Sequence, residues 1–260
     1  GSRIHEPEED AQNLLLQTVY NTCVEKRGKL IIPSFAVGRC QEILYVLNQL
    51  YNEHKLPSIK VFVDSPLAIN ATGVFLAHTE YLNDNVRRTM LYDDDPFSFN
   101  NVTYIRDVEK SKALNKYRKP CIIISASGML EAGRVKHHVA NNIMKPQNTI
   151  LMVGYCSPTT LGARIQEEGL RHISIFGNQI AVRADIKSIE AFSGHGDYRE
   201  MIKYLRCQDP DKIKNIFLVH GEYQTQLQYK QHLQESGFRN IIIPEVKDKY
   251  VLQEQEAVRI

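Results

Sequence analysis

Several short stretches of this chain are apolar at almost every position, and each is followed by a segment with helical spacing of apolar residues. The stretch KLIIP (29–33) precedes a helical pattern that contains Ile43 and Leu47, and similar strands are expected at 59–64, 121–124 and 149–153. An uninterrupted apolar strand indicates that both faces of its sheet are covered. Such strands alternating with helices predict an α/β fold built on a parallel sheet flanked by helices.

The pattern changes from Gln179 onward. Residues 180–192 (IAVRADIKSIEAF) alternate apolar and polar side chains, which predicts one long strand with a single wet face. We therefore place a domain boundary here, with a first domain at 1–190 and a second at 191–260. Within the second domain, helices are expected at 198–205 and 223–236.

Composition excludes several classes of protein. The five cysteines are scattered and form no C-x-x-C pair, which argues against a disulfide framework and against a thiolate zinc site. The net charge of +2 gives no strong overall attraction to nucleic acid, so a polyanion would need a local basic groove. No apolar run reaches the roughly 18 residues that span a bilayer, and no signal segment opens the chain. We expect a cytoplasmic protein without a membrane partner.

Two histidines occupy matching turns, each between a predicted strand and a predicted helix. His195 lies in AFSGHGDY and His220 in IFLVHGE, and small residues flank both rings. A single histidine is more often a packed residue than a ligand, but two in such turns, with Asp197 and Glu222 beside them, indicate a site. Asp197 has two interpretations, since it could orient the His195 ring or cap the following helix.

The loops after the predicted strands carry hydroxyl and arginine side chains. In open parallel sheets, ligands bind where the strands end, and hydroxyl-rich turns at helix N-termini suit phosphate groups. Taken alone, each Ser or Thr is more often a helix cap, and each Arg is more often a surface charge. The candidates are Ser34 and Arg39 in one loop, Ser125, Ser127, Gly128 and Arg134 in a second, and Thr160 and Arg164 in a third.

Three further polar residues lie near these loops. His137 and His138 are adjacent in a predicted helix, so at most one of the two rings faces a site, and His137 is kept as a candidate contact to phosphate. Asp64, in VDSP, is interpreted as the cap of the helix that Pro66 begins.

Taken together, the motifs FSGHGD, LVHGE, SGMLEAGRVKHH, PSFAVGRCQE, VDSPLA and GYCSPTTLG resemble the β-CASP branch of the metallo-β-lactamase superfamily. This branch of nucleic-acid hydrolases includes ribonuclease J and the mRNA 3′-end processing endonuclease. The resemblance implies a β-CASP domain followed by the C-terminal part of a metallo-β-lactamase αββα fold. It also implies that His195 contacts the scissile phosphate as a general acid, that His220 is a zinc ligand, and that the loops hold RNA.

The family's H-x-H-x-D-H run, which supplies further metal ligands, does not occur in this sequence. The residues Gly1-Ser2 look like an expression scar. The resemblance therefore implies a fragment of a longer protein that neither binds zinc stably nor cleaves RNA alone. For the full-length protein it implies a pair of zinc ions and hydrolysis of single-stranded RNA, either internally or from the 5′ end.

Other functions remain open at this point. The chain could be a non-catalytic module that binds RNA or a protein partner, or part of a DNA-directed β-CASP hydrolase, because phosphate contacts do not report the 2′-OH. A small-nucleotide-binding domain is disfavoured because G-x-G-x-x-G and G-x-x-x-x-G-K-[ST] are both absent. A homodimer is also left open.

Overall fold

The computed structural model describes residues 4, 8–192, 194, 196–252 and 257–259. They fall into a larger unit within 6–193 and a smaller unit that contains 194–260. The boundary predicted from the sequence followed residue 190.

A six-stranded sheet forms the centre of the larger unit. The strands of this unit are β1 (Lys29–Pro33), β2 (Lys60–Val63), β3 (Val102–Tyr104), β4 (Cys121–Ser125), β5 (Thr149–Met152), β6 (His172–Ile175), β7 (Asn178–Ala181) and β8 (Asp185–Ser188). The sheet order is β3-β2-β4-β1-β5-β8, and every neighbouring pair in it is parallel. The predicted α/β class and parallel sheet are confirmed. Strand β3 lies in a polar segment where no strand was expected.

Helices cover both faces of this sheet. They are α1 (Glu8–Val19), which a π-helical segment (Tyr20–Glu25) continues, α2 (Arg39–Asn52), α3 (Pro66–Ala77), α4 (Asp84–Thr89), α5 (Val108–Lys116), α6 (Arg134–Asn142) and α7 (Leu161–Arg164), with short 3-10 turns at Thr79–Tyr81 and Glu190–Phe192. Alternate residues of one strand enter different cores: Leu30 packs in the cluster of α1 and α2, while Ile31 packs with Val135 and Val139 of α6. This two-sided burial explains why the strands are apolar throughout.

The prediction of one long strand over residues 180–192 is wrong. It forms β7, which pairs with β6 in an antiparallel hairpin, and β8, which pairs with β5. The break has a local cause, because the N–H groups of Arg183 and Ala184 both donate to the Ile143 carbonyl, each at 2.9 Å. An alternating pattern shows that one face is wet but not where the chain turns between strands.

The smaller unit has its own core. Its elements are α8 (Tyr198–Leu205), β9 (Ile216–Phe217), α9 (Tyr223–Glu235), β10 (Ile241–Ile242), β11 (Tyr250–Leu252) and β12 (Ala257–Arg259). Strands β9 and β10 are parallel, and Ile202, Leu233 and Phe238 are buried together. Across both units, none of the helices among the described residues has the length and apolarity needed to span a membrane.

Candidate functional site

The loops that leave the carboxyl ends of β1, β4 and β5 lie against one another, as expected for a parallel sheet. The Ser34 N–H donates to the Ser125 carbonyl at 3.0 Å, and the Gly162 N–H donates to the Met129 carbonyl at 2.9 Å. A Cβ at Gly128 would lie 3.2 Å from the Phe35 ring, so this glycine allows the first two loops to pack closely. The sequence-predicted loops therefore share one edge of the sheet.

A buried carboxylate organises this edge. Asp64, directly after β2, is 0% exposed and accepts hydrogen bonds from the Ser111 hydroxyl and from Arg134 Nη1 at 2.7 Å. His138 Nε2 lies 2.6 Å from Asp64 Oδ2 and donates to it, because an ionised carboxylate can only accept. A buried charge is tolerated when it is paired and hydrogen-bonded in this way. We call Asp64, Ser111, Arg134 and His138 the Asp64 network.

The Asp64 network also decides the ionisation of the carboxylate. Burial alone would raise the pKa of Asp64, but hydrogen bonds from His138, Ser111 and Arg134 outweigh burial and lower the pKa below its ordinary value. Asp64 is therefore negatively charged at neutral pH. Its interpretation as a helix cap is wrong, because the neighbouring Ser65 caps α3 by accepting from the Ala68 N–H at 3.3 Å.

Arg134 uses its guanidinium within the protein. Besides its contact with Asp64, Nη1 donates to the Ile105 carbonyl at 3.2 Å and Nη2 donates to the Arg106 carbonyl at 2.7 Å. These bonds tie the segment after β3 to the start of α6. The structure thus places this predicted phosphate contact in a position that holds the loops together, with its side chain 20% exposed.

Three of the predicted hydroxyl groups are buried in the loops. The Ser125 hydroxyl donates to the Asp64 carbonyl at 2.7 Å. The Thr160 hydroxyl donates to the Ser157 carbonyl at 2.6 Å and accepts from the Ala163 N–H, so it caps α7. Ser34 is 2% exposed and hydrogen-bonds Cys40, whose thiol pKa is raised to about 12 by burial. These side chains define the shape of the edge.

The other predicted contacts differ in their surroundings. Arg39 pairs with Glu42 and lies 5.9 Å from the Phe192 ring centroid, and burial lowers its pKa although Glu42 opposes that shift. Arg164 is exposed on α7. The Ser127 hydroxyl is buried with no hydrogen-bond partner in the described part of the chain.

The two adjacent histidines of α6 face opposite environments. His138 is 1% exposed and belongs to the Asp64 network, whereas His137 is exposed and its ring stacks on Phe176 at a centroid distance of 4.5 Å. Only His137 of the pair is therefore available to a ligand.

In the smaller unit, His220 is exposed in the turn after β9, and Glu222 occupies the N-cap position of α9. Asp197 caps α8: its carboxylate accepts from the Glu200 N–H, and the Glu200 carboxylate accepts from the Asp197 N–H, both at 2.8 Å. The structure confirms the cap, and the interpretation that Asp197 orients the His195 ring stays a prediction. His195 lies outside the described residues.

The side chains of the described residues do not form a cluster that suits a metal ion. Within residues 8–192, 196–252 and 257–259, no three His, Cys, Asp or Glu side chains lie close enough to hold one ion. Because zinc sites in proteins have about three or four protein ligands, the described residues do not fit a zinc centre.

Sequence reasoning missed most of the Asp64 network. One signal was present: Asp64 ends an apolar strand, and Arg134 and His138 are four residues apart, on one face of a helix. No sequence signal connected Ser111 to the other three residues.

Two family models match the chain. A Beta-Casp domain matches residues 40–165, and a domain described as "Zn-dependent metallo-hydrolase RNA specificity domain" matches residues 179–244.

Several curated proteins are similar over most of this chain. Ribonuclease TTHA0252 of Thermus thermophilus is 32% identical over 222 residues, which cover 85% of this chain and 49% of that protein. An RNase J-like protein of Methanocaldococcus jannaschii is 35% identical over 213 residues, with coverages of 81% and 47%. Endoribonuclease ysh1 of Schizosaccharomyces pombe is 29% identical over 241 residues, with coverages of 92% and 30%. The chain thus spans about half or less of the length of these relatives.

Proposed function

Because this chain belongs to the β-CASP branch of the metallo-β-lactamase superfamily, we propose that it supplies the RNA-binding part of an RNA phosphodiester hydrolase. The observation that carries the proposal is the succession of a Beta-Casp match and an RNA-specificity match on one chain whose relatives are named as ribonucleases.

The carboxyl edge of the larger unit supports RNA binding. Helices α2 and α6 both begin at this edge, and the dipole at a helix N-terminus favours an anionic group such as phosphate. The Asp64 network holds the start of α6 against the segment after β3, so the edge is preorganised for a ligand. Phosphate contacts of this kind read little base sequence, and we propose that the bound RNA is single-stranded.

For the chemistry, we propose roles for the two histidines in the full-length enzyme. His220 is a metal ligand, consistent with its exposure after β9, and His195 contacts the scissile phosphate and protonates the leaving oxygen. The zinc dependence of the family appears in the description of the matched domain. Since the described residues do not form a metal site, we expect this chain alone to bind RNA without cleaving it.

RNA binding can be measured directly with this chain. Fluorescence anisotropy with labelled single-stranded RNA, single-stranded DNA of the same sequence and duplex RNA should show preference for single-stranded RNA. The affinity should fall steeply between about 50 and 200 mM salt, because binding releases counterions from the phosphates. Absence of RNA binding at low salt would contradict the proposal, and preference for DNA would indicate a DNA-directed enzyme.

Catalysis is tested on the full-length protein with 5′-phosphorylated and 5′-blocked RNA. Internal cuts in both substrates would identify an endonuclease, and cleavage of the phosphorylated RNA alone would identify a 5′-exonuclease. Binding without cleavage of either RNA would identify a non-catalytic module and contradict the proposed hydrolase.

A further inference from the structure

We propose that Lys136, His137 and Phe176 form a stacking site for one base of a single-stranded RNA. We call these three residues the stacking site. The inference rests on the proposed function, since it names one place at which the bound RNA is held.

Phe176 is in an unusual position for a large apolar side chain. It lies in the two-residue turn between β6 and β7, with φ of +53°, and Gly177 follows with φ of +76°. Positive φ at both residues of such a turn favours Asn, Asp and Gly, and a bulky residue is disfavoured. The Phe176 side chain is nevertheless 51% exposed. A residue that suits neither the turn nor the core is typical of a functional position.

The partner of Phe176 is the exposed ring of His137. The two ring planes are 28° apart, and the centroid distance of 4.5 Å is that of a stacked pair. His137 lies in the first turn of α6, close to where the loop after β4 ends. The pair therefore lies toward the carboxyl edge of the sheet, where the proposed function places the RNA.

Lys136 adds a positive charge to this pair. Its Nζ lies 5.4 Å from the Phe176 ring centroid and 3.4 Å from the Glu131 carbonyl oxygen, so the ammonium group is held beside the rings. Aromatic rings next to a cation combine the two interactions that hold single-stranded nucleic acid, namely stacking of a base and attraction of its phosphate. An apolar protein partner would gain from the rings but would have no use for the ammonium group.

The stacking site combines residues from inside and outside the stretches that the family models match. Phe176 falls between the two matched stretches, which end at residue 165 and begin again at residue 179, whereas Lys136 and His137 fall within the first stretch. The hairpin thus brings a residue from outside both matched regions onto the β-CASP helix α6.

The test uses Phe176→Asn, which removes the ring but places a residue that suits positive φ in the turn. We expect the melting temperature to be unchanged or higher, while the affinity for single-stranded RNA falls about 5- to 150-fold, the range for loss of one stacked base. His137→Ala should weaken RNA binding in the same direction. Phe176→Tyr keeps the ring and should keep the affinity. Tyr92→Ala, which removes an aromatic ring that is 77% exposed, is the matched control and should change neither quantity.

The outcomes separate this inference from the proposed function. If the wild-type chain binds RNA and Phe176→Asn binds it equally well, the stacking site is wrong and the proposed function stands. An equal loss of affinity in Tyr92→Ala would also overturn the stacking site. Failure of the wild-type chain to bind RNA would instead overturn the proposed function and the stacking site with it.

Discussion

Helix α6 contributes to two regions that differ in burial, although the helix residues of both lie within positions 134–138. Arg134 and His138, four residues apart, face inward to the buried carboxylate of Asp64. Lys136 and His137 lie between them and contact Phe176 at the surface. The same helix thus contributes to the Asp64 network on one side and to the stacking site on the other.

The difference shows that burial separates the residues that stabilise the fold from those that can bind a ligand. The carboxylate of Asp64 has no exposed surface, so each of its partners is needed to offset the cost of a buried charge. The Phe176 ring is exposed and uncharged, so no partner is needed to offset a buried charge, and its exposed surface can contact a ligand. Loss of an inward residue should therefore reduce stability, and loss of an outward residue should reduce binding.

The largest effect is expected at the centre of the Asp64 network. Asp64→Asn leaves Arg134 and His138 without their charged partner, and breaking a buried pair in this way costs about 3–5 kcal/mol in the free energy of unfolding. Urea denaturation followed by circular dichroism measures this loss.

The matched control for that change is Asp84→Asn. Asp84 also pairs with an arginine, Arg87, but its side chain is 73% exposed, so removal of the charge should cost less than about 1 kcal/mol. Equal stability losses in the two variants would contradict the claim that burial makes the charge of Asp64 costly to lose.

A smaller effect is expected from pH. Because the pKa of Asp64 is lowered in the folded protein, its charge adds stability that is fully present above the unfolded pKa, about 3.9, and is lost as pH falls through the folded pKa. The difference in unfolding free energy between wild type and Asp64→Asn should be constant from pH 7 to about 5 and should shrink below about pH 4. A difference that grows on acidification would show that Asp64 is protonated in the folded state.

Much of the fold could be predicted from sequence because it rests on local patterns. The apolar runs predicted β1, β2, β4 and β5. Strand β3, with only Val102–Tyr104 at the edge of the sheet, carries too few apolar residues to be recognised. The chain break within 180–192 depends on contacts with Ile143, which is distant in sequence.

The roles of the candidate site residues were harder to predict because they depend on which way each side chain points. Asp64 and Ser65 are both acceptable helix caps, and only the fold shows that Ser65 caps α3 while Asp64 binds Arg134. Adjacent residues of a helix point about 100° apart, so sequence could indicate that His137 and His138 differ but not which of them is buried. The roles of His195 and His220 stay predictions.

The most direct test of the two-region account is a paired measurement of melting temperature and RNA affinity for His137→Ala and His138→Ala. We predict that His138→Ala lowers the melting temperature by roughly 4–10 °C, because it removes a charged hydrogen bond from a buried carboxylate. At temperatures where this variant is still folded, it should retain most of its RNA affinity. His137→Ala should leave the melting temperature within about 1–2 °C of wild type, as for most exposed substitutions, and should weaken RNA binding. The opposite assignment, with RNA affinity dependent on His138 and stability dependent on His137, would contradict the account.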